Sequence, residues 1–128
     1  MLKVAIAGCG LITSKKHIPA FLKLKDKVEV AAICDLNADT AKKVADRFGI
    51  KKTYIDFADM LLKEKPYIVD ICTPPQTHAK LTIQAVESGA HVFIEKPMAL
   101  NTSDCDKMIE AAADKLDNIV CSFALGKI

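Results

Sequence analysis

The sequence predicts an α/β fold, a doubly wound parallel sheet of about six strands with helices on both faces. Three observations carry that expectation. Short, nearly continuous apolar runs recur along the chain, as strands covered on both faces require. Segments with helical spacing of apolar residues separate them. The joins are short, so each strand–helix–strand unit closes as a right-handed crossover between parallel strands. The expected strand order is 3-2-1-4-5-6.

Leu2 to Ala7 is the first apolar run, and Val28 to Cys34 repeats it with β-branched residues. Ile68 to Cys72, His91 to Ile94 and Ile119 to Phe123 are three more, with a weaker strand at Lys52 to Ile55. The first helix is expected from about Leu11 to Leu24, broken near His17 because Pro19 disrupts the turn before it. Ala41, Val44, Ala45 and Phe48 form one apolar stripe, between a capping Asn37 and a closing Gly49. Asp56 to Leu62 is a short helix, and Thr77 to Ser88 a longer one ended by Gly89. Cys105, Met108, Ile109, Ala112 and Leu116 make the last stripe, opened by Asn101-Thr102-Ser103 with a Ser103/Asp106 capping box.

A length of 128 residues fits one domain, over residues 1–123 with a tail at 124–128. With 51% hydrophobic and 27% charged residues, and only five Gly and five Pro, the chain is neither disordered nor of low complexity. A net charge of +2 supplies no field for a nucleic acid or a membrane surface, and neither partner is expected. Glu29, Asp35 and Asp70 interrupt the longest apolar runs, which are too short to span a bilayer. Cys9, Cys34, Cys72, Cys105 and Cys121 match neither a disulfide framework nor a zinc site, so no metal is expected. Free thiols of this kind point to a reducing, cytoplasmic location. Ile6-Ala7-Gly8-Cys9 imitates a lipoprotein cleavage box, but the preceding apolar stretch is too short for a signal peptide. Asn101-Thr102-Ser103 matches a glycosylation acceptor, without meaning in that compartment.

Gly8-Cys9-Gly10-Leu11-Ile12-Thr13 follows the first strand and opens the first helix. There the first glycine permits a tight turn, and the second lets backbone approach a pyrophosphate stabilised by N–H groups at the helix start. Thr13 stands where a third glycine usually does. Asp35, at the carboxyl end of the second strand, lies where an acid meets the adenosine ribose. Its charge would repel a 2′-phosphate, which favours NAD over NADP. Two alternatives accompany this reading. Asp35 can simply begin the next turn, and S-adenosylmethionine enzymes share the glycines and the acid. Lys15 and Lys16 either help neutralise phosphates or form a solvated face, and His91 is given no role.

Two later segments sharpen the picture. Thr73-Pro74-Pro75-Gln76-Thr77-His78 lies at the end of the fourth strand, and Glu95-Lys96-Pro97 ends the fifth on the same side. Together with Gly8-x-Gly10, His17 and the continuation Met98-Ala99-Leu100, they resemble the glucose–fructose oxidoreductase, inositol dehydrogenase and rhizopine-catabolism (Gfo/Idh/MocA) family. The likeness runs from roughly Leu2 to Val120. It implies a Rossmann domain of an NAD(P)-dependent oxidoreductase acting on a sugar, a polyol or a related carbonyl compound. Lys96 matches the family's lysine beside the nicotinamide, implying a catalytic role in polarising the substrate oxygen or relaying its proton. Glu95 is the expected neighbour that tunes it, and Pro97 fixes its turn through a cis peptide. Gly8, Gly10, Leu11, Ile12, Asp35, Thr73, Pro74, Pro75, His78, Glu95, Lys96 and Pro97 are the expected cofactor-binding residues. For His78, local bonding at a helix start is the competing reading, as is a polar place at the helix break for His17.

The sequence also departs from that family. No histidine follows His91, and the tail from Cys121 to Ile128 lacks the family's asparagine- and arginine-containing turn. The family's second domain, with the substrate pocket and a D-x-x-x-H motif, is expected to be absent. The isolated chain is then expected to bind NAD weakly with negligible turnover, and to self-associate through its last strand. The alternative function is a stand-alone sensor or docking module that binds NAD without catalysis.

Overall fold

The computed structural model describes residues 1–115 and 119–122. Six strands form one sheet: β1 (Leu2–Ala7), β2 (Val28–Cys34), β3 (Lys52–Tyr54), β4 (Ile68–Ile71), β5 (His91–Glu95) and β6 (Ile119–Ser122). Their order is β3-β2-β1-β4-β5-β6, as expected, and every pairing is parallel. β2 carries one extra residue against β1: Val4 pairs with Val30, but Ala5 pairs with Ala32.

Five helices connect the strands: α1 (Ile18–Leu22), α2 (Ala38–Phe48), α3 (Phe57–Glu64), α4 (His78–Glu87) and α5 (Thr102–Lys115). Alternation along each strand divides the core in two. Ala5, Ala7, Val69, Ile71, Val92 and Ile94 face α3, α4 and α5. Val4, Ile6 and Ile33 face the other way, against Ile18 of α1 and Ala41, Val44 and Ala45 of α2. Local chemistry sets the ends. Asn37 accepts a hydrogen bond from the Thr40 N–H, and Gly49 closes α2 at φ 72°. Asp56 caps α3 by accepting from Ala58 N–H.

Three expectations need correction. The break near His17 is instead a π-helical turn, Thr13–His17, through which the helix continues into α1. The Ile18 N–H reaches back five residues to the Thr13 carbonyl, and this wider turn accommodates Pro19, which has no N–H to give. The Ser103/Asp106 capping box does not form. Asn101 takes the capping place, its Oδ1 accepting from Asp104 N–H at 2.8 Å. The helix expected from Thr77 begins at His78, after a separate 3₁₀ turn at Pro75–Thr77. Leu116, Phe123 and the tail at 124–128 lie outside the described residues. Among the described residues, no helix is long and apolar enough to cross a membrane.

Candidate active site

Parallel pairing brings the carboxyl ends of β1, β2, β4 and β5 to one edge of the sheet. The glycine turn, Asp35, the Thr73–Pro75 segment and the Glu95–Pro97 corner therefore share that edge. Gly8 and Gly10 differ in kind. Gly8 has φ +97°, and a Cβ there would stand 2.8 Å from the Cys72 carbonyl carbon and oxygen. The turn after β1 thus packs against the end of β4, and only glycine fits. Gly10 has no atom within 4 Å of a Cβ position and no left-handed φ. The protein's own packing does not require a glycine there, so the open space in front of it suits an incoming ligand.

The turn is fastened from both sides. Asp35 Oδ2 accepts from the Cys9 N–H at 2.9 Å, and Oδ1 accepts from the Asn37 N–H at 2.9 Å. Thr13, in place of a third glycine, is buried and donates its hydroxyl to the Gly8 carbonyl at 2.6 Å. Leu11 and Ile12 stand exposed at the helix start, where the first N–H groups of a helix point outward. These features fit the phosphates and ribose of a dinucleotide.

On the other half of the edge, Thr77 donates its hydroxyl to the Pro74 carbonyl at 2.7 Å, shaping the Thr73–Thr77 turn. Pro74 is exposed and Pro75 half-buried. The Lys96–Pro97 peptide is cis. Lys96 is exposed, between Glu95, which is half-buried, and Pro97. His78 is 1% exposed. Its ring nitrogens lie 2.7 Å from the Pro97 carbonyl and 2.8 Å from the Thr73 carbonyl, so it is bonded locally and ties these two turns together.

The group that sequence reasoning underrated is His17. The π-helical turn carries its ring into the sheet edge, where Nδ1 lies 2.6 Å from Asp70 Oδ2 and Nε2 lies 2.6 Å from Glu95 Oε2, both nitrogens donating when the ring is protonated. Phe93 lies against the ring, with centroids 5.9 Å apart. Burial would push the imidazole down, but the hydrogen bonds and charges of Asp70 and Glu95 outweigh it and hold His17 above its ordinary value. Asp70 is fully buried, and burial raises its carboxyl against the pull of His17. Asp70 escaped notice except as an interruption of an apolar run. An acid inside a strand covered on both faces requires a partner, and that was the available signal.

His17, Asp70 and Cys72 offer ligand atoms within 4.8 Å of one another. The short His17–Asp70 hydrogen bond occupies the centre of that group. Burial, then the Asp70 charge, drives the Cys72 thiol far above its ordinary value, which disfavours the thiolate a metal needs. A concavity of about 820 Å³ lies at the opposite, amino end of the sheet, lined by residues such as Met1, Leu2, Pro66, Tyr67 and Gly89. None of the candidate site residues lines it.

Known proteins share this architecture. The chain is 34% identical over 111 residues to a D-glucoside 3-dehydrogenase of Escherichia coli (strain K12), covering 87% of this chain and 31% of that protein. It is also 34% identical over 111 residues to an inositol 2-dehydrogenase of Salmonella typhimurium (strain LT2), covering 86% and 33%. The WlbA dehydrogenase of Bordetella pertussis, solved in complex with NADH and UDP-GlcNAcA, superposes with a TM-score of 0.89 at 27% identity, covering 94% of this chain and 36% of that one. The chain thus spans about a third of the length of the relatives it matches. Over residues 2–122 it matches the Gfo/Idh/MocA family, described as an oxidoreductase family with an NAD-binding Rossmann fold, and the chain belongs to that family.

Proposed function

We propose that this chain is the cofactor-binding part of an NAD-dependent dehydrogenase that moves a hydride between nicotinamide and a sugar, a polyol or a related carbonyl compound. One observation carries the reading. Gly10 faces open space on the edge where Asp35, Thr73–Pro75 and Lys96 also stand, and nothing in the fold itself calls for a glycine there. The relatives' names supply the substrate class.

The residues divide the work by position. The turn from Gly8 to Ile12 would receive the pyrophosphate, with Gly10 leaving room and the helix start supplying N–H donors. Asp35, oriented by Cys9 and Asn37, would accept the ribose hydroxyls and oppose a 2′-phosphate, so NAD is preferred to NADP. Thr73, Pro74 and Pro75 would wall the cleft. His78, Glu95 and Pro97 would shape its nicotinamide end. NAD, when bound, supplies the hydride acceptor. Lys96 would donate a hydrogen bond to the substrate oxygen and carry its proton.

Residues that read the substrate belong, in this proposal, to a region corresponding to the rest of the longer relatives. The 128-residue chain alone would bind NAD without appreciable turnover, because the reacting end of the cleft stays wet. Its five free cysteines suit a cytoplasmic setting. β6 ends the sheet order with Val120 54% exposed, and this edge supports self-association, readable by light scattering.

Titration of the chain with NADH, NADPH and S-adenosylmethionine tests the reading. Saturable NADH binding, weaker NADPH binding and none by S-adenosylmethionine are expected. Binding of S-adenosylmethionine in place of NADH would overturn it.

A further inference from the structure

Both neighbours of Lys96 are anchored, and each anchor is a buried histidine from a different element. On one side, His17 Nε2 holds Glu95 Oε2 at 2.6 Å while its Nδ1 holds Asp70 of β4. On the other, His78 Nδ1 meets the Pro97 carbonyl at 2.7 Å while its Nε2 meets the Thr73 carbonyl at 2.8 Å. His17 is 8% exposed and His78 is 1% exposed. The two rings therefore grip residues 95 and 97 and leave Lys96, itself exposed, between them. Each ring also reaches the segment at the end of β4, against which Gly8 packs. The corner bearing the lysine is tied in this way to the turn that would hold the phosphates.

We propose that His17 and His78 are positioning residues, a two-histidine bracket that sets Lys96 relative to the cofactor turn. The inference rests on the reading of Lys96 as the residue that bonds the substrate oxygen. Neither histidine need touch cofactor or substrate. Their bonds hold the Glu95 carboxylate and the Pro97 carbonyl on either side of the lysine, and a catalytic lysine misplaced by even 1 Å loses much of its effect.

The His17 half of the bracket responds to pH. The groups facing its ring are Asp70 from β4, Cys72 just beyond it, and Glu95 from β5; Lys15 and Lys16 of its own turn are exposed. Cys121 of β6 stands near Glu95, and its thiol is raised by burial and by that charge. His17 is held above its ordinary 6.5 in the folded chain. Both ring nitrogens therefore donate below 6.5, and as pH rises through the folded value the ring loses one N–H and with it one of the two bonds of the bridge.

The test is nitrogen-15 NMR of the cofactor-free 128-residue chain from pH 6 to 10, which follows the His17 ring and the amides of Glu95, Lys96 and Met98. In the unaltered chain the ring is expected to lose its proton above 6.5, and the three amides to shift at that same pH. E95Q should move the inflection to lower pH, because one carboxylate charge is gone. H17Q should abolish it, and H78Q should retain it. Either histidine variant should speed hydrogen exchange at Lys96 and Met98 about tenfold or more, the equivalent of one strong hydrogen bond. K96Q should leave the ring titration unchanged. A ring that titrates at or below 6.5, or amides indifferent to it, would overturn the bracket, and the unaltered chain alone decides this if a variant does not fold. Absence of NADH binding would instead count against the cofactor reading, since these measurements contain no cofactor.

Discussion

Substituting alanine at Gly8 and at Gly10 should give opposite results. At Gly8 the new Cβ would lie 2.8 Å from the Cys72 carbonyl group and 3.0 Å from the Thr73 nitrogen, all backbone atoms that cannot rotate away. The φ of +97° adds conformational strain. Strain of this kind costs about 1–2 kcal/mol, and overpacking adds about 1–3 kcal/mol. The sum, about 2–5 kcal/mol, corresponds to a fall of at least roughly 6 °C in Tm for a domain of this size. At Gly10 no atom lies within 4 Å of the Cβ, and stability should stay within about 0.5 kcal/mol of the unaltered chain. On the proposed reading the methyl instead enters the space that would hold the pyrophosphate, so NADH affinity should drop at least about tenfold. Thermal denaturation and NADH fluorescence titration read the two effects separately. Unchanged NADH binding by Gly10→Ala would refute the assignment of that space, and a fully stable Gly8→Ala would refute the close approach to β4.

Asp35→Asn should shrink the preference for NADH over NADPH about tenfold, measured as the ratio of Kd values, because the charge opposing a 2′-phosphate is removed. Glu64, at the other end of the sheet, is buried; burial pushes its carboxyl up, but hydrogen bonds from Tyr54 and Lys3 outweigh this and hold it below its ordinary 4.5. A lowered folded value adds stability above pH 4.5 that is lost as pH falls through the folded value. Tyr54→Phe should therefore cost about 1–3 kcal/mol at neutral pH in urea unfolding and move acid unfolding to higher pH. In the unaltered chain Tyr54, bonded to Glu64, should resist ionisation until about pH 12 in an ultraviolet titration. Burial and the Asp35 charge lift the Cys9 thiol to about 12 and the Cys34 thiol to about 11. Alkylation at pH 8 followed by mass spectrometry should leave both unmodified until the chain is unfolded.

The sheet was legible because its strands are apolar on both faces and its helices carry clear stripes and caps, as at Asn37 and Gly49. Local motifs also made legible that Gly8–Gly10, Asp35, Thr73–Pro75 and Glu95–Pro97 share one edge, since each follows a strand in a parallel sheet. What stayed hidden depends on distance in sequence. His17 meets partners 53 and 78 residues away, and no spacing rule connects a π-helical turn with the ends of two strands. Pro19 signalled a disturbance but not its form: a widened turn keeps the helix running where a break was expected. The sequence distinguished the two glycines as a tight turn and a ligand approach, but the close approach of the Cys72 carbonyl that makes Gly8 obligatory was not legible in it. At the start of α5 the expected Ser103/Asp106 box gives way to Asn101, whose side chain accepts from the Asp104 N–H.

The most direct test of the account is the footprint of NADH on the backbone amides of the 128-residue chain. Saturable shifts should gather at Gly8 to Thr13, Asp35, Thr73 and Glu95 to Met98, along the carboxyl edge of the sheet. Shifts centred instead on the groove at the amino end, around Leu2, Tyr67 and Gly89, or confined to scattered exposed lysines, would contradict it.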